Sequence, residues 1–314
     1  MTLKLVFMGT PDFGVPCLNS IIEKYNVEAI FTQPDKPRAR GQKMQFTPVK
    51  EVALRNNIQL YAPIKLRNDE ECIEILRKIN PDIIIVIAYG QILPPSILEI
   101  PRLGCVNLHA SLLPDLRGAA PINWSIINGN KTTGNTTMLM GEGLDTGDIL
   151  LKSEVTIGDN ETAGELYEEL SCSGVDLLIR TIEGLRSGTI IPEKQDDNLS
   201  SYASKLTKQL GHINWDDQCG NIYNLIRGVT PWPGAFTFYG DKVIKICRAQ
   251  KNLFINTQVE HGQIIEVSKL GIEVACRQGS GSIIIKELQE VGGKKMDVIS
   301  YLNGHTINKG DKLK

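Results

Sequence analysis

DIIIVIA, residues 82–88, decides the fold. It is apolar from Ile83 to Ala88 and shows no alternation, so neither side is marked for water. A short run of this kind reads as a central strand covered on both faces. Around it, strand-like and helical segments alternate. LKLVFM (3–8) is a strand, Thr10–Phe13 a turn and Val15–Lys24 a helix. Val27–Thr32 is a strand, Pro48–Arg55 a helix, Ile58–Tyr61 a short strand and Asp69–Ile79 an amphipathic helix. Beyond the central run, Cys105–His109 and Thr136–Met140 read as strands, and Pro121–Asn128 and Ala163–Glu183 as helices. The alternation predicts an α/β fold: a Rossmann-like open, mostly parallel sheet with helices on both faces. Such sheets bind ligands at the carboxyl ends of their strands.

The pattern changes near residue 190. Residues 190–206 (IIPEKQDDNLSSYASKL) are polar and irregular, as in a linker. Short strands follow at Thr237–Tyr239, Val243–Arg248, Gly262–Val267, Gly271–Cys276 and Ser282–Leu288, punctuated by glycines. They predict a small closed or half-closed β-barrel. The expected organisation is a first domain over 1–189, a linker over 190–206 and a second domain over 207–314.

The 314 residues are 41% hydrophobic and 22% charged, with a formal net charge of −2. That composition suits a soluble globular chain with a real core and no overall pull on nucleic acid. The N-terminal apolar run is too short for a signal peptide, and no run approaches a membrane span, so a cytoplasmic protein is expected. Seven cysteines without a C-x-x-C pair predict reduced thiols, with neither a disulfide framework nor a zinc site. Low net charge and modest aromatic content give no dimer signal, and a monomer is the expectation.

Chemistry concentrates in a few motifs. GTPDFG (9–14) occupies the place of a dinucleotide fingerprint, but Thr10 and Pro11 stand where G-x-G-x-x-G needs a glycine and a free N–H. A plain turn into a helix is the better reading. In GCVNLHASLLPDLRGAAP (104–121), Asn107 and His109 are i and i+2 at a strand end. They share one side of the strand and can converge on one atom. A histidine there can simply pack, but the turn formers that follow open room for a cavity beside the pair. GEGLDTGD (141–148) is an acidic turn whose carboxylates either cap backbone N–H groups or bring Asp145 to His109. In the second case the carboxylate would fix the imidazole tautomer and raise its basicity. Asn, His and Asp then suffice for acyl transfer: the amide stabilises an oxyanion, the imidazole manages the proton and the carboxylate orients it. No serine or cysteine nucleophile is needed if the acceptor brings an amine.

The run KPRARGQK (36–43) is basic, with Asp35 the nearby acid and Lys50 following. A charge run is often only a solvated face. This one exceeds the usual βα connection of about 2–6 residues, and a long basic loop beside a site suggests phosphate contacts. Trp232 in TPWPGAF (230–236) reads as packing the start of the barrel.

Together GTPDF (9–13), QPDKPRARGQK (33–43), VIAYGQILP (86–94), GCVNLHASLLPDLRGAAPI (104–122), GLDTGD (143–148) and TPWPGAF (230–236) resemble the methionyl-tRNA formyltransferases. The resemblance spans nearly the whole chain. It implies formyl transfer from 10-formyltetrahydrofolate to the α-amino group of methionyl initiator tRNA, giving N-formylmethionyl-tRNA for translation initiation. It implies catalytic roles for Asn107, His109 and Asp145. It places the folate co-substrate on Ser111, Leu112, Leu113 and Pro114 and on the backbone of Tyr89, Gly90, Gln91, Ile92 and Leu93. It assigns the acceptor end of the tRNA to the loop with Lys36, Arg38, Arg40 and Lys43, and further tRNA contact to an OB-like second domain. No metal and no nucleotide cofactor are implied. Asn135 and Asn214 depart from the family pattern, which more often has an apolar residue and Asp there. Rival readings are a formyltransferase acting on a nucleotide-linked amino sugar, and a non-catalytic RNA-binding protein in which Asn107 and His109 merely pack.

Overall fold

The computed structural model of the chain describes residues 3–38, 43–253 and 259–314. They form two compact units. The first contains residues up to Gly118, Thr133–Thr156 and Tyr167–Tyr202; the second contains Ala119–Thr132, Ile157–Leu166 and Ala203–Lys314.

In the first unit the strands are β1 (Lys4–Gly9), β2 (Asn26–Phe31), β3 (Leu60–Tyr61), β4 (Ile83–Ile87), β5 (Cys105–His109), β6 (Thr132–Leu139) and β7 (Ile149–Thr156). They lie in the order β7-β6-β5-β4-β1-β2-β3. The pairs from β3 through β5 are parallel, and β6 runs antiparallel to β5. Every residue of β4 is buried, as DIIIVIA requires. On one face Val6, Met8, Ile84 and Val86 pack with Cys72, Ile73 and Leu76, which belong to a helix over Glu70–Ile79. That helix starts where Asp69 accepts the Cys72 N–H and ends at Asn80, whose φ of 47° breaks the α conformation. On the other face Phe7 and Ile87 lie under the turn into the helix Val15–Lys24: a Cβ on Gly14 would sit 3.2 Å from the Phe7 ring. Burying each such Ile or Phe contributes roughly 1.5–3 kcal/mol, and both faces of the central strands gain it.

The strand order reverses between β1 and β4, where open α/β folds place a crevice. Here side chains lace that point together. Thr10 Oγ1 and Gln33 Nε2 both donate to the Tyr89 carbonyl, each at 3.1 Å, and the Gln33 N–H donates to Thr10 Oγ1 at 3.3 Å.

Three expectations change. Residues 190–202, read as linker, belong to the first unit. Glu193 and Ile149 exchange two backbone hydrogen bonds of 2.8 Å, and Gln195 is buried although the residues around it are exposed. The basic run is a ribbon, not an open loop: Lys36–Arg38 pairs antiparallel with Lys43–Gln45. The helix Pro121–Ile127 belongs to the second unit, where Asn123 Nδ2 donates to the Gly228 carbonyl at 2.8 Å.

The second unit is an antiparallel sheet of β8 (Ala235–Tyr239), β9 (Lys242–Asn252), β10 (Ile264–Ser268), β11 (Gly271–Ala275) and β12 (Ser282–Glu290), in the order β8-β9-β12-β11-β10. The pair Met296–Asp297 adds to β12. Its core holds Trp215, Ile222, Ile226, Ile246 and Ile283. Both edge regions meet the same segment: Leu313 bridges to Tyr239, and Lys312 to Gln263. Exposed edges are thereby occupied. Trp232, read as packing the start of the barrel, is 54% exposed, while Trp215 is 3% exposed. Among the described residues no helix is long and apolar enough to cross a membrane.

Thr237 joins this core to the bridging segment. It accepts from Trp215 Nε1 and donates to the Lys314 carbonyl, each at 2.8 Å. Thr237→Val keeps the shape, leaves the buried Trp215 Nε1–H without its acceptor at a typical cost of about 1–3 kcal/mol, and leaves the Lys314 carbonyl with the Phe238 N–H at 2.8 Å. The expected result is faster amide exchange at Phe238 and Lys314, measured by NMR, with exchange in the first unit unchanged.

Candidate active site

The site grows from the end of β5. Residues 105, 107 and 109 share one face. Cys105 lies in the core with Ile84 and Val86. Two residues on, Asn107 lies between Val86 of β4 and Met138 of β6, and His109 lies opposite Thr136. The polar pair therefore continues the line of the core just where its covering side chains run out. Asn107 is half-buried, and its amide makes no hydrogen bond to the described residues. His109 is buried.

Thr136 folds the next loop back onto this face. Its Oγ1 donates to the Ser111 carbonyl at 2.6 Å and accepts the Leu113 N–H at 3.1 Å. Leu113 then packs with Met138 and Ile149. The expected folate residues divide accordingly. Leu112 and Pro114 are half-buried, whereas Ser111 and Leu113 are fully so. Tyr89 and Leu93 place their side chains in the core. Burial pushes the Tyr89 hydroxyl pKa up. Gln91 spends its amide on the loop before it, accepting from Leu66 N–H at 2.7 Å and donating to the Pro63 carbonyl at 2.9 Å. Gly90, at φ 81°, and Ile92 are exposed.

His109 Nε2 lies 2.9 Å from the Leu116 carbonyl. A carbonyl only accepts, so Nε2 is the donor and the neutral ring keeps its lone pair on Nδ1. That nitrogen faces Asp145 Oδ2 at 3.7 Å, too far for a direct hydrogen bond. Oδ2 instead accepts the Gly118 N–H at 2.8 Å. The sequence suggested Asp145 as the group that fixes the tautomer; the Leu116 carbonyl does so, because it faces the ring at bonding distance. Asp145 is left to face an Nδ1 that becomes an N–H donor only when the ring is protonated. No covalent nucleophile competes. Burial pushes the Cys105 thiol up to about 12, and Ser111 Oγ donates to the Asp115 carbonyl at 2.6 Å.

Around this pair stand residues that sequence reasoning missed. Arg117 is buried, with Nε and Nη2 donating to Gln195 Oε1 at 3.0 and 2.8 Å. Gln195 Nε2 donates to the carbonyls of Asp145 at 2.9 Å and Gly147 at 2.7 Å. Ser201 holds the same stretch: its Oγ accepts the Leu116 N–H and its carbonyl the Arg117 N–H, both at 2.9 Å. One signal pointed here. An arginine inside LRGAAP, if buried, needs a partner, and QDD (195–197) offers acceptors.

The expected tRNA-contacting residues Lys36, Arg38 and Lys43 lie on the two-stranded ribbon. Arg40 lies outside the described residues. Nearby, Lys50 pairs with Asp35 and sits over the Phe46 ring, 4.1 Å from its centroid. The two departures from the family pattern have local partners. Asn135 is buried and donates to the Leu170 carbonyl at 2.9 Å. Asn214 accepts the Asp216 N–H at 3.1 Å, a bond that Asp can also accept.

Known proteins share this arrangement of sequence. Residues 3–182 match the formyl transferase family model, and residues 205–306 match that for the formyl transferase C-terminal domain. A methionyl-tRNA formyltransferase of Clostridium novyi is 53% identical over 99% of this chain and 100% of its own length. One from Clostridium tetani is 53% identical over 98% of each chain. The chain belongs to the methionyl-tRNA formyltransferase family. Solved structures share the fold at greater distance. WlaRD, a sugar 3N-formyl transferase solved with dTDP and 5-N-formyl-THF, has a TM-score of 0.68 at 21% identity, covering 94% of this chain and 100% of its own. HypX from Aquifex aeolicus, solved with tetrahydrofolic acid, has a TM-score of 0.62 at 14% identity, covering 98% of this chain and 50% of its own.

Gly147 shows how tightly the Asp145 turn is built, since a Cβ there would lie 1.6 Å from the Leu139 carbonyl oxygen. Backbone must move to admit it. Gly147→Ala is expected to lower the formyl-transfer rate at least tenfold, by the rough sensitivity of reaction rates to misplacements near 1 Å. The far-UV circular dichroism should stay that of the parent.

Proposed function

We propose that the chain transfers a formyl group from 10-formyltetrahydrofolate to the α-amino group of methionyl initiator tRNA, with Asn107, His109 and Asp145 as its catalytic residues. The observation that carries the reading is the His109 ring. It is held at Nε2 by the Leu116 carbonyl and presents Nδ1 toward a carboxylate, beside an amide with no other partner on the same strand face. The protein's own groups fit the co-substrate. A bend with exposed Gly90 and Ile92 and a half-buried Leu112–Pro114 edge offer backbone polar groups and apolar surface to a flat pterin ring.

In the reaction the methionyl amine forms a C–N bond to the formyl carbon, and the bond from that carbon to the folate nitrogen breaks. Asn107 donates a hydrogen bond to the oxygen that gains negative charge as the carbon becomes tetrahedral. His109 takes the proton lost by the attacking amine at Nδ1. The imidazolium so formed keeps its Nε2–H bond to Leu116 and gains an attractive charge in Asp145, which the neutral ring lacked. His109 then returns the proton to the departing folate nitrogen, so the histidine ends neutral. Asp145 itself need not change protonation. The buried setting strengthens each of these interactions relative to water.

Asn107→Ala is expected to cut kcat by about 10²–10³, and His109→Ala by about 10²–10⁴, with thermal unfolding close to the parent's. A variant with near-normal turnover removes that residue from the mechanism. Steady-state formylation of charged initiator tRNA is the measurement.

The acceptor's phosphates are assigned to the basic run of residues 36–43. The net charge of −2 gives no general attraction for polyanions, so contact must come from a local concentration of cations. Arg40→Ala is expected to raise KM for charged tRNA and to flatten the dependence of log(kcat/KM) on log salt by about one unit, the signature of one lost phosphate contact. An unchanged slope excludes that contact. The same assay run with an amino-sugar nucleotide as acceptor tests the rival reading directly.

A further inference from the structure

We infer that Gln195 is a positioning residue for formyl transfer: its side-chain amide, anchored by Arg117, fixes the turn that sets Asp145 opposite His109. The inference rests on the proposed role of Asp145.

The chemistry of the position calls for an amide. One end must accept from a guanidinium and the other must donate to two carbonyl oxygens, and Gln195 does both through Oε1 and Nε2. The residue is 7% exposed, so water cannot replace these bonds cheaply. The two carbonyls belong to Asp145 and Gly147, which bracket the turn. Asp145 has a φ of 53°, a left-handed conformation that a non-glycine residue keeps only where its surroundings enforce it. The bonds from Gln195 supply that enforcement from the backbone side, while the Gly118 N–H holds the carboxylate at 2.8 Å.

Arg117 completes the frame. It sits between Leu116, whose carbonyl holds His109, and Gly118, whose N–H holds Asp145. Its guanidinium also pairs with Asp197 at 2.8 Å. The imidazole and the carboxylate are thus both referred to residues 116–118, and Gln195 ties the Asp145 turn to that same stretch. Without Gln195 the carboxylate keeps one tether, to Gly118, and its backbone loses two. Gln195 bonds only to Arg117 and to the Asp145 turn among these groups, so its effect is expected to run through Asp145.

The test is a double-mutant cycle in the full chain, with Q195A, D145A and the combination, assayed for formylation of charged initiator tRNA. Q195A is expected to lower kcat at least about tenfold, with KM for both substrates within about twofold. In the D145A background the same change should cost less than about twofold, because the group it positions is gone. Independent, multiplying losses overturn the inference, as does a Q195A enzyme with parental kcat. Q195E covers the case in which Q195A does not fold. It keeps an acceptor for Arg117 but turns a carboxylate oxygen toward two carbonyls, so it should fold and show the same kcat defect; parental kcat in Q195E is equally fatal. Near-normal turnover in D145A would instead overturn the catalytic role of Asp145 on which the inference stands. A dead D145A with an unaffected Q195A overturns the inference alone.

Discussion

The hydrogen bond from His109 Nε2 to the Leu116 carbonyl is the constraint on which the proposed chemistry depends. As a neutral hydrogen bond it contributes only about 1 kcal/mol to stability. Its consequence is larger than its energy. It commits the donor role to Nε2, leaves Nδ1 as the ring's basic atom and aims that atom at Asp145, 3.7 Å away. With the opposite tautomer, the proton would already sit between ring and carboxylate, and the imidazole would have no free lone pair toward the site. The Leu116 carbonyl is in turn presented by a residue at φ 56°, in a loop that Thr136 clamps at Ser111 and Leu113. A turn in the chain thus chooses which nitrogen would serve as base in the proposed reaction.

This explains why polar residues that look ordinary in sequence matter here. Thr136 faces His109 across the sheet and satisfies two backbone groups of the loop with one hydroxyl. Replacing it with a valine of similar shape would leave a carbonyl and an N–H without partners beside the site. Polar groups buried in this unit are affordable because most are matched. The side-chain oxygen Oδ1 of Asn135, which has no partner among the described residues, is an exception, and it lies where the sequence departs from the family pattern.

Much of the fold was legible in the sequence because periodicity reports burial. DIIIVIA could only be a covered strand, and the five glycine-punctuated strands of the second unit follow from alternation. Asn107 and His109 were legible because a period of two puts i and i+2 on one face. Strand β7 was missed although ILLKSEVT has a buried start and then alternates in burial; the acidic turn before it drew the reading toward a loop. Residues 190–202 were missed for a different reason. Gln195, Asp197 and Ser201 have partners 78 to 85 residues away, and no local pattern encodes which distant carbonyl a glutamine will meet. A polar, irregular stretch looks the same whether its hydrogen bonds go to water or to an active-site turn. The tautomer was illegible for the same reason, since composition suggests a carboxylate as the partner for a histidine and gives no sign of a backbone carbonyl seven residues on.

Fold alone does not select the acceptor. WlaRD and HypX share the architecture at TM-scores of 0.68 and 0.62 with 21% and 14% identity, and similarity at that level speaks for the scaffold only. The proposed machinery is equally indifferent: an oxyanion donor, a proton carrier and a carboxylate serve any amine brought to the formyl carbon. Discrimination must then come from parts that meet the rest of the acceptor, far from the reacting nitrogen. An RNA offers many phosphates along its length, whereas a sugar nucleotide offers a diphosphate. A run of lysine and arginine in the βα connection after β2 suits the former, because several cations can each meet a separate phosphate. The clostridial relatives align from end to end, second unit included, as expected if acceptor recognition draws on the whole chain while the chemistry stays in one loop-built corner of the first unit.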